Sequence, residues 1–352
     1  MNFIKKYQQK IAILDIALFF RQLATLVSTG IPLAHSCQIL EKSAEKTTLQ
    51  ELILFLKQEV EAGNTFSRSL EKKIDHFDNF TVALTRLGEH TGSLDILLKT
   101  IAHYYEKKII FKRKLWQALF YPLITFSIAM LVTFIMLFFI VPQFAGLFQP
   151  MFGRLPWITR CIFALSLGLR EHIESIALLL LLVSAGLFQQ KSRLVRHLDW
   201  RLLLRLPFFS TLLQKILVAR FTRYLAITLA SGMPVTEGLK LAANASGKHF
   251  FEKCIAQLEA DLASGIALHT TMQSASAIFP TLMVQMIKTG EESGMLQAML
   301  EKTAEFYEAD TDQALHQLGQ LLEPLIMVVL GVVIGGLIIS MYLPIFKLGA
   351  AI

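Results

Sequence analysis

The chain has 352 residues, of which 54% are hydrophobic and 17% are charged, and its formal net charge is +7. This composition argues against a fully soluble protein, because so apolar a chain is expected to place some of its segments in lipid. The basic excess indicates a membrane surface rather than a nucleic-acid partner, since the lysines and arginines crowd beside the apolar segments.

The part of the chain before the first apolar segment predicts a helical bundle. It opens with a short lead, residues 1–14, and from Asp15, which we place as an N-cap, apolar residues follow helical spacing. No stretch shows the sustained alternation of a strand. The later helical stretches cover residues 33–45, 48–62, 65–72, 79–89 and 93–114, and they are punctuated by Gly63-Asn64 and by the segment from Gly88 to Gly92. We therefore predict a bundle of about six helices over residues 15–114.

Three apolar segments predict membrane helices. Residues 119–141 contain no charged side chain, and at about 1.5 Å per residue they can cross a bilayer core of about 30 Å. Residues 324–346 are also uncharged, whereas the segment at 175–190 is shorter and needs flanking residues to complete a crossing. We assign the transmembrane helices to residues 115–141, 172–190 and 317–346.

The basic residues predict the orientation of these segments. Five of them stand just before the first span and five follow the second, whereas the connection at residues 142–171 contains three. The positive-inside rule then places this connection and the tail, residues 347–352, outside. The bundle at 15–114, the basic linker at 191–217 and a second bundle at 218–316 are placed in the cytoplasm.

The same motifs occur twice in the chain at a constant spacing. Gly88-Glu89-His90-Thr91-Gly92 returns as Gly290-Glu291-Glu292-Ser293-Gly294, Tyr105-Glu106 returns as Tyr307-Glu308, and Tyr121-Pro122 returns as Glu323-Pro324. The differences 290 − 88, 307 − 105 and 324 − 122 all equal 202. A register without a gap over this length indicates duplication. We therefore predict an all-α fold with two homologous cytoplasmic six-helix bundles and three transmembrane helices.

The repeated acidic residues allow two interpretations. Glu89 and Glu291 can be helix N-terminal acids beside a helix dipole, and Glu106 and Glu308 can belong to a solvated helix face. The alternative is a polar contact surface that both copies use. Glu323, next to Pro324, is interpreted as part of a helix start at the membrane interface.

Motifs of known catalytic sites are missing from the sequence. It contains no P-loop, no HExxH zinc site and no GxSxG nucleophile, so we predict no enzyme activity and no required cofactor. Glu308 and Asp312 could share a cation at i, i+4 spacing, but two carboxylates cannot complete a calcium shell of about six to eight oxygens. Spans without internal charge also argue against a transporter.

A set of short motifs covers nearly the whole chain from about Asp15. They are Gly30-Ile31-Pro32-Leu33, the two Gly-Glu-x-[Thr/Ser]-Gly motifs, Tyr121-Pro122, Val141-Pro142-Gln143-Phe144, Leu155-Pro156, Arg205-Leu206-Pro207, Ser231-Gly232-Met233-Pro234 and Glu323-Pro324. In these motifs the chain resembles the type II secretion F / type IV pilus PilC platform family. Family members often carry an extra leader before the first bundle, where this sequence has about fourteen residues.

The resemblance implies a multi-pass inner-membrane platform protein at the base of a pilus or pseudopilus. It implies contact with a cytoplasmic hexameric assembly ATPase, with pilin or pseudopilin subunits and with other inner-membrane assembly proteins, and it implies self-association. It also implies a possible calcium site that includes Glu106. Motion of the ATPase would reach the membrane through the helices of residues 93–141 and 295–346, each of which contains a proline.

The repeated residues are the predicted partner-contact or structural motif of such a platform. These residues are Gly88, Glu89, Gly92, Glu106, Gly290, Glu291, Gly294, Glu308, Pro122, Glu323 and Pro324. A membrane-tethered scaffold or signalling protein remains the alternative, and a transporter is a weaker one.

Overall fold

The computed structural model describes residues 11–148, 155–172, 174–175 and 207–349. The described residues form helices joined by short turns and contain no strand, which confirms the predicted all-α class. Most of the predicted second transmembrane helix, 172–190, and most of the basic linker, 191–217, lie outside the described residues. So do residues 1–10 of the lead, residues 149–154 of the connection, and residues 350–352.

Repeat 1, which we define as residues 11–114, contains five short helices and the start of a long one. They are α1 (Ile13–Ser28), α2 (Leu33–Ser43), α3 (Thr47–Glu61), α4 (Phe66–Glu71), α5 (Asn79–Thr91) and α6 (Leu94–Ile135). The predicted N-cap at Asp15 is wrong, because α1 begins at Ile13 with Ala12 as its N-cap residue. The Asp15 carboxylate instead accepts hydrogen bonds from the Lys46 ammonium at 2.8 and 2.9 Å.

The helical structure that starts with α6 continues beyond residue 141, where the first predicted span ends. After α6 come a π-helical turn (Met136–Ile140) and α7 (Val141–Phe148), and α8 (Trp157–Glu171) lies in the predicted external connection. Val141 donates its N–H to the Met136 carbonyl, five residues back. The Leu137 carbonyl would then need the N–H of residue 142, which is a proline and has none.

A side chain from α8 satisfies this carbonyl. The Ser166 hydroxyl donates to the Leu137 oxygen at 2.6 Å, and both groups are buried. Thr159, on the same helix, donates in the same way to the Ser340 carbonyl at 3.0 Å. These bonds matter in an apolar environment, because backbone groups in lipid have no water to bond.

Repeat 2, which we define as residues 208–313, reproduces the order of repeat 1. Its helices are α9 (Pro207–Ala230), α10 (Val235–Ala263), α11 (Leu268–Ser274), α12 (Thr281–Ser293) and α13 (Leu296–Gly349). Gly247 has non-helical backbone angles inside α10, φ 166° and ψ 79°, so α10 consists of two helical segments. Gly247 is the counterpart of Glu45, which lies between α2 and α3, so both bundles have six helical segments, as predicted.

The described chain divides into two compact units. The first contains repeat 1 and repeat 2, with breaks after Lys114 and Gln313, and the second contains Leu115–Pro207 and Ala314–Ile352. The sequence predicts the two bundles as separate domains, whereas the structure joins them in one unit. Each repeat still has its own aromatic core, with ring centroids 5.7 Å apart for Phe20 and Phe77 and 5.4 Å apart for Phe221 and Phe279.

Two helical stretches of the described residues are long and apolar enough to cross a membrane, Leu94–Leu147 and Leu296–Pro344. They contain the first and third predicted spans. In the second unit they pack with α8 around a small apolar cluster whose members include Val141, Phe163 and Met341. Pro122, Pro324 and Pro344 lie inside α6 and α13 without ending either helix.

Candidate interaction site at the repeat junction

Glu89 caps a helix to which it is not adjacent in sequence. It lies near the end of α5, and its carboxylate accepts a short hydrogen bond from the Phe66 N–H and another, at 3.3 Å, from the Ser67 N–H. Both donors belong to the first turn of α4, where backbone N–H groups have no partner within the helix. A carboxylate at this position also interacts favourably with the helix dipole.

Glu291 makes the same arrangement in repeat 2. Its carboxylate accepts from the Leu268 N–H at 2.7 Å and from the His269 N–H at 3.0 Å, in the first turn of α11. The structure therefore places both repeated glutamates as N-terminal acids, each on a neighbouring short helix. Neither glutamate lies at the N-terminus of its own helix.

The glycines around these glutamates form a sharp corner between two helices. Gly92 and Gly294 end α5 and α12 with φ of +69°, a left-handed conformation that glycine adopts without steric cost. A Cβ on Gly88 would lie 3.1 Å from the Leu94 Cα, and a Cβ on Gly290 would lie 2.8 Å from the Leu296 Cα. The motif thus lets consecutive helices turn back closely upon each other.

Glu106 and Glu308 each bind an arginine of the first helix of their own repeat. Arg21 donates to Glu106 at 2.5 Å, and Arg223 donates to Glu308 through two nitrogens, at 2.6 and 2.9 Å. Such paired, charge-assisted bonds are among the stronger ones in proteins. Burial by itself would raise the pKa of Glu308, but the bonds and charge of Arg223, together with Lys107, hold that pKa below its ordinary value.

The residues at Glu106 do not fit a calcium site. Calcium takes about six to eight oxygen ligands, and this carboxylate is already bound to a guanidinium. Among the residues that the structure describes, no group of three or more His, Cys, Asp or Glu side chains could hold a metal ion. Asp312, the second carboxylate considered with Glu308 as a ligand of a shared cation, forms an ion pair with Lys114.

Aromatic side chains join the two repeats. The Tyr224 ring lies 5.0 Å from the ring of Phe80 and 5.3 Å from that of Tyr104, measured between centroids. The Arg220 guanidinium lies 4.8 Å from the centre of the Phe111 ring, within range of a cation–π interaction. We call this contact of α5 and α6 with α9, α10 and the start of α13 the repeat junction.

Charges of opposite sign also cross the repeat junction. Lys107 donates to Glu308 at 3.3 Å, and Lys114 makes a short bond to Asp312. The counterparts of Lys107 and Lys114 in repeat 2 are Ala309 and His316, so the basic side chains belong to one copy only. The two copies have therefore diverged where they meet.

Asp78 is a functional candidate that does not belong to the repeated motifs. Its carboxylate caps α5 through the Thr81 N–H at 3.0 Å and accepts from the Tyr104 hydroxyl at 2.5 Å and from Lys108 at 3.2 Å. Burial opposes the charge, yet Lys108 and these hydrogen bonds hold the pKa of Asp78 below its ordinary value. Its counterpart is Pro280, so only the N-cap pattern before Asn79 could have indicated it.

A cleft of about 420 Å³, lined by both polar and apolar side chains, lies at the junction. Its lining includes Asp78, Tyr104, Lys108, Arg220, Tyr224 and Asn244. Within the described chain, Arg220 forms no ion pair with a carboxylate. The arrangement offers charged and hydrogen-bonding groups for recognition.

The remaining predicted site residues belong to the second unit. The Tyr121 hydroxyl donates to the Glu323 carboxylate at 3.3 Å, so the bond joins equivalent positions of the two copies. The interpretation of Glu323 as part of a helix start is wrong, because Glu323 and Pro324 lie deep inside α13. The predicted site residues thus form separate local structures and do not gather into one cluster.

A family model described as "Type II secretion system (T2SS), protein F" matches the chain twice, at residues 19–142 and 221–344. Both ends of the second match lie 202 residues after those of the first (221 − 19 and 344 − 142), which is the offset found in the sequence. The chain belongs to the type II secretion system protein F family. This assignment confirms the family expected from the motifs.

The relatives of this protein F family member are named as components of type IV pilus assembly or of type II secretion. A type IV pilus assembly protein PilC of Pseudomonas aeruginosa is 37% identical over 348 residues, which cover 97% of this chain and 91% of the relative. A type IV pilus assembly protein PilC of Thermus thermophilus is 36% identical over 340 residues, 95% of this chain and 82% of the relative.

A type II secretion system protein F of Xanthomonas campestris pv. campestris is 32% identical over 339 residues. These cover 95% of this chain and 82% of the relative. The family membership and the two apolar helices together indicate a membrane protein of pilus biogenesis or type II secretion.

Proposed function

We propose that this protein is the non-enzymatic inner-membrane platform of a type IV pilus or type II secretion machine. Its repeats would lie in the cytoplasm and contact a hexameric assembly ATPase, and its spans, including one at residues 172–190, would pass pilin or pseudopilin subunits into the fibre. No cofactor is required in this proposal, and the partners include other inner-membrane assembly proteins.

The observation that carries the proposal is the continuity of two long helices. α6 runs from Leu94 to Ile135 and α13 from Leu296 to Gly349, so each belongs both to a repeat and to an apolar stretch. A helix is a stiff element, and stiff packed elements can carry a displacement from one site to another. The α5–α6 and α12–α13 glycine corners, together with the Arg21–Glu106 and Arg223–Glu308 pairs, would hold the cytoplasmic ends of these helices in place.

A pair of exposed positions on α6 allows a test of mechanical coupling. Lys112 and Gln117 are exposed and lie on either side of the break between the two units. Glycine at both would weaken the helix by about 1 kcal/mol per position relative to alanine without altering a buried contact. We expect Lys112→Gly with Gln117→Gly to reduce fibre assembly strongly, as measured by surface pilin or secreted substrate.

The matched control is Lys112→Ala with Gln117→Ala, which removes the same side chains and keeps a strong helix former. Membrane levels of both variants are compared by immunoblot, so that loss of protein is not mistaken for loss of coupling. Equal assembly by the glycine and alanine variants would contradict the proposal. Co-purification of the full chain with the assembly ATPase and pilins then separates a platform from a membrane-tethered signalling scaffold.

A further inference from the structure

A second cleft at the repeat junction is lined by an excess of positive charge. Its volume is about 110 Å³, which is room for several water molecules or for one group of similar size. The basic side chains of its lining are Lys107, Lys108, Lys114, Arg220 and Arg223, and the acidic ones are Glu308 and Asp312. We call this space the basic cleft.

The neighbouring carboxylates do not neutralise the basic cleft. Glu308 binds both Lys107 and Arg223, so one negative charge faces two positive ones. The other two lysines of the lining each pair with one carboxylate. Arg220 forms no ion pair within the described chain, and its guanidinium lies over a phenylalanine ring. Five basic groups therefore face three carboxylates, which leaves an excess of two positive charges.

A buried hydroxyl in the lining of the basic cleft has no partner in the described chain. Thr311 is 2% exposed, and its Oγ1 makes no hydrogen bond there. Thr303, which is buried on the same helix, instead donates to the Met299 carbonyl at 2.6 Å. A buried polar group without a partner is costly and needs an explanation, and a ligand that accepts its hydrogen bond supplies one.

The fold does not require polar groups at these positions. The counterpart of Thr311 in repeat 1 is Ile109, which packs against the apolar core, and the counterpart of Arg220 is Leu18. Apolar side chains therefore suit both positions in one copy. In the other copy a hydroxyl and a guanidinium line one space, which indicates binding rather than packing.

The basic cleft reaches a residue close to the predicted membrane surface. Lys114 precedes Leu119, the first residue of the uncharged segment, by five positions on α6 (119 − 114), or about 8 Å of helix. The headgroup layer on each side of a bilayer is about 5 to 8 Å thick. Trp116, between the two, is 61% exposed, and tryptophan is enriched in that layer. Lipid phosphates would therefore lie at the level of Lys114 if the repeats are cytoplasmic.

We propose that the basic cleft binds a phosphate group, with the Arg220 guanidinium and the Thr311 hydroxyl donating to its oxygens. A phosphate ester has one to two negative charges, which match the excess, and several acceptor oxygens, which suit a guanidinium fork. The source is the headgroup of an anionic phospholipid or a soluble phosphate ester. This inference goes beyond the platform function, and only its lipid source rests on the proposed membrane orientation.

Calorimetric titration of the full chain in dodecyl maltoside tests the site and its source. The probes are inorganic phosphate, dihexanoyl phosphatidylglycerol and dihexanoyl phosphatidylcholine, which has a phosphate but no net charge. Tighter binding of phosphatidylglycerol than of inorganic phosphate would identify a lipid headgroup, and equal or weaker binding would identify a soluble phosphate ester. The inference is overturned if neither anion binds more tightly than phosphatidylcholine.

Thr311→Val separates a ligand-binding hydroxyl from a structural one. Valine has a similar shape and no polar group, so the melting temperature of the ligand-free chain should stay equal or rise. Affinity for the tighter-binding anion should fall about tenfold, because a hydrogen bond to a charged group is lost. Thr303→Val is the matched control, which should lower the melting temperature and leave the affinity unchanged. Unchanged affinity in Thr311→Val would contradict the proposal.

Arg220→Gln tests the charge. It should lower the affinity for the anion about tenfold or more. Arg86→Gln is its control, since Arg86 pairs with Glu71 and lies half exposed outside the lining of the basic cleft. Melting temperatures show whether both variants are folded, and Thr311→Val still decides if Arg220→Gln is not. Equal affinities of the two folded variants would show that Arg220 does not bind the anion.

Discussion

At the scale of single residues, the identical pairs of the two copies act mainly within each repeat. Glu89 and Glu291 cap α4 and α11, and Glu106 and Glu308 bind the arginines of α1 and α9. The residues that join the copies, such as Tyr224 and Lys107, have different residue types at their counterpart positions. Identity between copies therefore identifies what each bundle needs in order to fold, and divergence identifies where they meet.

Glu89 provides a residue-scale prediction. We expect Glu89→Ala to lower the free energy of unfolding by about 1 to 2 kcal/mol, because two N–H groups of α4 lose their acceptor. His90→Ala is the control, since His90 is exposed on the same helix. Thermal unfolding of the purified chain in detergent measures the difference, and equal melting temperatures for the two variants would contradict the capping role.

At the scale of elements, the helix ends follow local chemistry and the irregular turn follows packing. Proline at residue 142 leaves the Leu137 carbonyl without a backbone donor, and a serine from α8 supplies one. The π-helical turn is tolerable because that serine is in place. The local sequence around Pro142 contains the cause of the defect, and the compensating hydroxyl comes from another helix.

Ser166 provides the element-scale prediction. We expect Ser166→Ala to destabilise the chain by about 1 to 3 kcal/mol, the usual cost of a buried polar group without a partner. Ser127→Ala is the matched control, since the Ser127 hydroxyl is exposed and bonds within its own helix.

A double-mutant cycle with Pro142→Ala makes the Ser166 prediction sharper. Alanine restores an N–H for the Leu137 carbonyl, so Ser166→Ala should cost less in that background. Additive losses of melting temperature, measured in detergent, would mean that the serine acts in some other way.

At the scale of the whole molecule, the two repeats form one unit through a junction that includes carboxylates of lowered pKa. Asp78 and Glu308 lie at this junction and are bound to Lys108 and to Arg223 with Lys107, respectively. A carboxyl whose folded pKa is lowered stabilises the fold above its ordinary pKa and ceases to do so as the pH falls through the folded value. The folded unit should therefore lose stability in acid.

The prediction is a loss of melting temperature in the wild-type chain as the pH falls below about 4, the ordinary pKa range of a carboxyl. Asp78→Asn removes one of the two groups, so this variant should start from a lower stability at neutral pH and lose less on acidification. Melting curves from about pH 7 to about pH 3 measure both slopes. Parallel curves for the two proteins would show that Asp78 contributes nothing to the pH dependence.

The sequence by itself determined the class of helical protein, the duplication, the limits of most short helices and the position of two apolar spans. These features depend on neighbouring residues: periodicity, glycines at helix ends and runs without charge are all local. The N-cap at Asp15 and the helix start at Glu323 are wrong, because residues before them continue the helix.

Only the tertiary structure decided which surfaces meet. Glu89 caps a helix that begins 23 residues earlier, and Lys107 reaches Glu308 across 201 residues of chain. The junction at Phe80 and Tyr224 has no pattern in either copy alone, because its faces come from different repeats. Such contacts form when distant segments bury apolar surface together, and local propensity contains no term for that burial.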